Sequence, residues 1–163
     1  MDATIIFPHQ LFSSSSALKR SRKTFIIRDP LFFNDKKYPV RFHKNKILLH
    51  ILSTDYYRSE LVERGYDVQL VTEKELIGEN YFDSFFKKNN INEVHYCDPV
   101  DYTITKRLDH SINSLSIKSY KYDTPGFMLE ESDVFDHFTN KKSHFMAAFY
   151  KQQRKRYNIL MND

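Results

Sequence analysis

The chain has 163 residues, 40% of them hydrophobic and 28% charged, which supplies one ordinary domain with a real core and excludes wholesale disorder. Its net charge of +4 is uneven: residues 1–54 hold ten Lys/Arg against three Asp/Glu, residues 55–136 nine against seventeen, and residues 137–163 six against one. A single cysteine excludes an intramolecular disulfide and any four-cysteine cluster site, and no apolar run reaches the ~20 residues that a bilayer-spanning helix needs.

In chain order, Thr4 to Phe7 reads as a first, fully buried strand. No basic segment precedes it, so no signal peptide is expected and the chain is read as cytoplasmic. Ser13 to Ser16 offers either an N-cap for a short helix over residues 17–20 or a loop. Thr24 to Ile27 is the second strand, ended by Asp29-Pro30. After a loop over residues 30–41, Ile47, Leu48, Ile51, Leu52, Tyr56 and Leu61 recur at helical spacing, which predicts a long helix over 42–64 stopped by Gly65. Tyr66, Val68, Leu70 and Val71 switch to a third strand.

The pattern then repeats. A second helix contains residues 82–86, a fourth strand runs from Glu93 to Cys97, a helix covers 100–112, and a fifth strand covers 116–122. A short helix capped by Ser132 and a basic amphipathic helix over 143–157 complete the chain. Strands that alternate with helices and are apolar on both faces predict an α/β domain, Rossmann-like, with a mostly parallel five-stranded sheet covered by helices on both faces. The expected division is an α/β domain over 1–140 and a basic C-terminal helix over 141–163.

In such sheets ligands sit beyond the carboxyl ends of strands, where the strand order switches. The first strand delivers His9 and Gln10 to that end, the second Asp29, and the fourth Asp98. No Gly-rich phosphate loop follows any strand, which argues against dehydrogenase and P-loop chemistry. His9 and Asp29 could pair, hold a ligand, or brace loops. His43, Lys44 and Lys46 open the long helix, where free backbone N–H groups and cations favour an anion; a solvated basic turn is the alternative. Cys97 reads as a small buried thiol. Neither a Ser–His–acid triad nor a metal-ligand spacing stands out. The two basic ends could attract a polyanion such as DNA, with Arg154, Lys155 and Arg156 the densest cluster, or be ordinary solvated surface.

Four segments, in order, resemble the N-terminal domain of the deoxyribodipyrimidine photolyase-related family, the iron–sulfur bacterial branch of the cryptochromes and photolyases. Phe7-Pro8-His9-Gln10-Leu11-Phe12 is similar to the family's strand followed by Gly-Asp-Gln-Leu, and residues 28–33, Arg-Asp-Pro-Leu-Phe-Phe, resemble its acidic second-strand end. Phe42-His43-Lys44-Asn45-Lys46-Ile47 resembles its His-Lys-x-Lys helix start, and residues 145–156 resemble its Met-x-x-Phe-Tyr-Arg-x-Met-Arg-Lys segment. Pro8-His9 departs from the Gly-Asp pair, so an acidic ligand contact is lost there.

The resemblance implies an antenna-type domain in which His9, Gln10, Asp29, His43, Lys44 and Lys46 contact a cofactor, at most a lumazine-type light-harvesting chromophore. FAD, an iron–sulfur cluster and lesion repair are implied only for a following helical domain, whose Gly-Gly-x-Trp-Asn-Phe-Asp start does not occur before Asp163. The expectation is therefore a truncated or split photolyase-related chain, inactive in photorepair alone. The alternative is a stand-alone ligand- or DNA-binding module. Expected partners are DNA, bound weakly and electrostatically, and either a separately encoded helical half or a second copy, met through Phe149, Tyr150, Tyr157 and Leu160.

Overall fold

A computed structural model describes residues 1–161. Five parallel strands form one open sheet in the order β3-β2-β1-β4-β5: β1 Asp2–Ile6, β2 Lys23–Ile27, β3 Val68–Val71, β4 Glu93–Cys97 and β5 Lys118–Tyr122. Ile5 pairs in register with Phe25 on one side and Tyr96 on the other. Because successive strand residues point to opposite faces, Ile5, Phe25, Ile27, Val94 and Tyr96 feed one core while Ile6, Ile26 and Val68 feed another.

The first core is closed by α2 (Tyr81–Lys88) and α3 (Tyr102–Ser114), through Phe82, Phe85, Phe86, Ile104, Leu108 and Ile112. Phe25 meets Phe85 edge-to-face at 5.1 Å, a geometry the ring quadrupoles favour. The second core is smaller and is covered by α1 (Lys44–Glu63), whose Tyr57 and Leu61 pack inward. Helices thus cover both faces of an all-parallel sheet.

α1 ends as the sequence predicts: Gly65 adopts φ +84°, and the amides of Gly65 and Tyr66 donate to the carbonyls of Val62 and Leu61, which closes the last turn. Its start and its facing differ from expectation. The helix begins at Lys44, and the stripe containing Leu48, Leu52 and Tyr56 points to solvent rather than to the core. The buried residues are Thr54, Tyr57 and Leu61, because Arg28 at the end of β2 fixes the rotation. Its guanidinium, 7% exposed, donates to Thr54 Oγ1 and the Ile51 carbonyl and holds Asp55 at 2.9 Å.

Of the two readings of the serine run the loop holds, in turns that place Ser15 Oγ 3.2 Å from Cys97 Sγ. One further expectation is corrected. The fifth strand is not apolar on both faces, since Lys118, Ser119, Tyr120 and Lys121 are exposed on an edge, where charged side chains discourage further pairing.

The contacts divide the chain at Gly126. From Phe127 onward a second unit contains α4 (Glu131–Phe138) and α5 (Met146–Arg156), held together by Phe149 against Phe138 at 5.2 Å and His137 at 4.8 Å. Of the apolar face expected on the last helix, Phe149 is buried and Tyr157 half-buried, while Phe145, Met146, Tyr150 and Leu160 are exposed.

Candidate functional site at the carboxyl ends of the strands

The strand order reverses between β1 and β4, and there the loop after β1 is tied to the loop after β4. The Gln10 amide donates to the carbonyls of Cys97 (3.1 Å) and Asp98 (2.8 Å), and its own Oε1 is buried with no partner. His9 donates from Nε2 to the Pro99 carbonyl at 2.8 Å, since that carbonyl only accepts. Beside it, Val100 adopts φ +55°, an outlier for a β-branched residue, braced by its amide donating to Asp98 Oδ1.

The His9 ring stacks between Phe7 and Phe32, and Phe32 in turn meets His50 of α1 at 5.3 Å. Burial holds His9 below the ordinary imidazole pKa, opposed by the Pro99 carbonyl and Asp101. Burial, then Lys46 and His9, does the same for His50, whose Nε2 is buried without a partner. Two imidazoles and two phenyl rings thus form an aromatic layer that runs from the loop after β1 to α1.

Asp29 does not pair with His9. It is fully buried, accepts from the Leu31 amide and from the Tyr81 hydroxyl (2.5 Å), and lies 3.9 Å from Arg107. Arg107 Nη1 also holds Asp35 at 2.5 Å and donates to Tyr81 at 3.3 Å. Burial raises the Asp29 pKa against the pull of Tyr81 and Arg107. Asp35 stays below the usual carboxylate range because the Arg107 bond and the Tyr38 and Lys37 amides outweigh burial. Tyr81 is pushed up by burial and by Asp29.

Asp35, Tyr81 and Arg107 of this network line a cleft of about 920 Å3 beyond β2, between the loop after that strand, the start of α2 and α3. Phe33, Tyr38, Tyr81 and Tyr102 supply flat surfaces, and Lys36, Lys37, Lys74, Lys106 and Arg107 supply cations against Asp35, Glu73 and Glu79. A planar, anionic ligand fits such a lining.

The basic turn sits differently from the cleft lining. His43 caps α1, accepting the Asn45 amide at its Nδ1 (3.2 Å), while Lys44 is exposed and Lys46 lies over the Phe42 ring at 4.1 Å. Ile47 from the first turn of α1 does line the cleft. In the second unit, Arg156 holds Asp133, Arg154 donates to the Ile159 and Leu160 carbonyls, and Lys155 is exposed. Sequence reasoning missed Asp35, Tyr81 and Arg107. Their only sequence signal is negative: Arg107 interrupts the inward pattern of α3 between Ile104 and Leu108.

A parallel sheet with helices on both faces and a strand order that reverses between β1 and β4 is an open α/β architecture, in which the carboxyl ends of the strands are the usual place for a ligand. The model of the deoxyribodipyrimidine photo-lyase-related protein family matches residues 4–163, and the chain belongs to that family. It is also 32% identical over 168 residues to the uncharacterized protein R852 of Acanthamoeba polyphaga mimivirus, covering 97% of this chain and 84% of that one. Among the described residues no helix is long and apolar enough to cross a membrane, and no cluster of His, Cys, Asp and Glu is suited to a metal ion.

Proposed function

We propose that this chain is the antenna-type α/β domain of a photolyase- or cryptochrome-related flavoprotein of the iron–sulfur branch. It binds a planar chromophore or nucleotide and acts with a flavin-bearing helical half supplied outside these residues. The observation that carries this reading is the cleft: it lies at the carboxyl end of β2, beside the switch point, and combines aromatic walls with four lysines and an ordered arginine. Asp29 belongs to the supporting network rather than to the ligand surface, while His9 and Gln10 tie the loop after β1 to the loop after β4 at the switch point. Light absorbed here would serve lesion repair or sensing in the helical half, where FAD and the cluster would reside.

Titration of the isolated chain with lumazines, riboflavin, flavin mononucleotide and adenine nucleotides, followed by fluorescence, tests this. Binding is expected to weaken by about tenfold in Lys106→Glu, through loss of one cation and gain of a repelling charge. The same preparation should carry no stoichiometric FAD and reverse no lesion under blue light. No binding at millimolar ligand, or repair by the chain alone, overturns the reading.

A second reading, a stand-alone DNA-binding module, is favoured by the basic residues 137–163. If that surface neutralises n phosphates, log affinity falls with log salt at about −0.9n on duplex DNA. Substituting Arg154, Lys155 and Arg156 together by Ala should flatten the slope. Because Arg156 and Arg154 already have partners, the loss should be nearer one phosphate contact than three. Salt-independent retention rules this surface out.

A further inference from the structure

α1 carries two apolar faces and its own sheet uses only one. Thr54, Tyr57 and Leu61 face inward, yet Leu48 is 51%, Leu49 63%, Leu52 58% and Tyr56 74% exposed. On the outward side Asn45, Leu49, Leu52, Tyr56, Ser59 and Glu63 succeed one another at alternating steps of four and three, the spacing of a coiled-coil seam. Contiguous large apolar side chains on a surface helix mark an interface more often than they mark solvated surface.

We propose that α1 pairs antiparallel with α1 of a second copy of this chain, forming a two-fold dimer. Charge selects both the occupant and the direction. Arg41 precedes the helix and Lys44 and Lys46 lie in its first turn, whereas its second half carries Asp55, Glu60 and Glu63 against the single cation Arg58. Run antiparallel about a two-fold axis, the seam sets Leu52 against the partner's Tyr56 and Leu49 beside the partner's Ser59. Leu48 then lies near the partner's Val62, and Lys46 flanks the partner's Glu60 twice, once on each side of the axis. A parallel pair would instead bring Arg41 to Lys46 and Asp55 to Glu60, like against like, and would align the two helix dipoles unfavourably.

The remaining charges are compatible with this pairing. Asp55 lies nearest the axis and is already neutralised by Arg28 within its own chain. Glu60 meets Arg64 at 3.5 Å on the surface, a weak pair that it can exchange for another. An isologous contact of this kind closes on itself and stops at two copies.

The test uses the full chain in sedimentation equilibrium over a wide concentration range. The expected result is a reversible dimer of twice the chain mass. Leu52→Lys should leave a monomer whose far-UV spectrum and melting in dilute solution are unchanged, because Leu52 touches solvent rather than core. Lys46→Glu should weaken association by about tenfold, and Lys46→Glu combined with Glu60→Lys should restore it. Tyr150→Glu, on the exposed face of α5, should have no effect. A monomer at every concentration overturns the proposal, as does a dimer indifferent to Leu52→Lys. Failure of the double charge exchange to recover the affinity lost in Lys46→Glu overturns the antiparallel pairing.

Discussion

Replacing Arg107 by Leu is expected to destabilise the protein by about 3–5 kcal/mol, a large part of the ~5–15 kcal/mol that holds a domain of this size together. Among the described residues, Arg107 is the cation that reaches both Asp35, 4% exposed, and Asp29, at 0%. Without it the Asp35 carboxylate stays buried with only two amide donors, and Asp29 loses its cation at 3.9 Å. Chemical denaturation at neutral pH measures the loss.

The pH dependence adds a signature that a simple packing defect lacks. In the native chain Asp35 has a folded pKa below its ordinary value, so its contribution is complete above the unfolded carboxylate pKa and disappears as pH falls through the folded one. In the variant the same carboxyl prefers its proton, so acid relieves the buried charge. The gap between the two proteins should therefore narrow as pH drops through the carboxylate range. Combining Arg107→Leu with Asp35→Asn should recover part of the loss, because the Asp35 site then holds no charge, while Asp29 keeps the Tyr81 hydroxyl and the Leu31 amide. A cost below about 1 kcal/mol, or a gap that widens in acid, would contradict the network's role.

Phe82→Ala should cost a similar ~3–5 kcal/mol by a different route, the cavity left in a closed core. Phe82 is 1% exposed and is enclosed by Phe7, Tyr81 and Phe86, with ring centroids 6.3, 4.6 and 5.9 Å away. It also lines the cleft, so loosening α2 should weaken ligand binding along with stability. Leu52→Ala, measured in dilute solution, serves as the contrast and should stay within about 0.5 kcal/mol of the native chain. Equal costs at the two positions would mean that α1 is rotated from the orientation described.

The element types were legible because they depend on local geometry. Ile5-Ile6 and Ile26-Ile27 direct side chains to alternate sheet faces, Val94 and Tyr96 share one face at a spacing of two, and the steps of three and four in α1 and α3 are those of a helix. Gly65 and Asp29-Pro30 end their elements through their own backbone preferences. All five strands therefore lie within a residue or two of their expected bounds, and β5 departs from expectation only in its exposure.

Which apolar stripe of α1 meets the sheet was not legible. Two stripes of similar character compete, and the choice rests on Arg28 reaching Thr54, Ile51 and Asp55 from the next layer. The candidate site divides the same way. His9 and Gln10 were visible as residues leaving a strand at the switch end, a consequence of topology that alternation of strands and helices already implies. The Asp29–Tyr81–Arg107–Asp35 network joins residues up to 78 positions apart, and its charged members look like ordinary surface charges until the fold removes them from water. Local periodicity determines what each segment becomes. Burial, and with it the pairing of charges and the walls of the cleft, exists only once distant segments exclude solvent from one another.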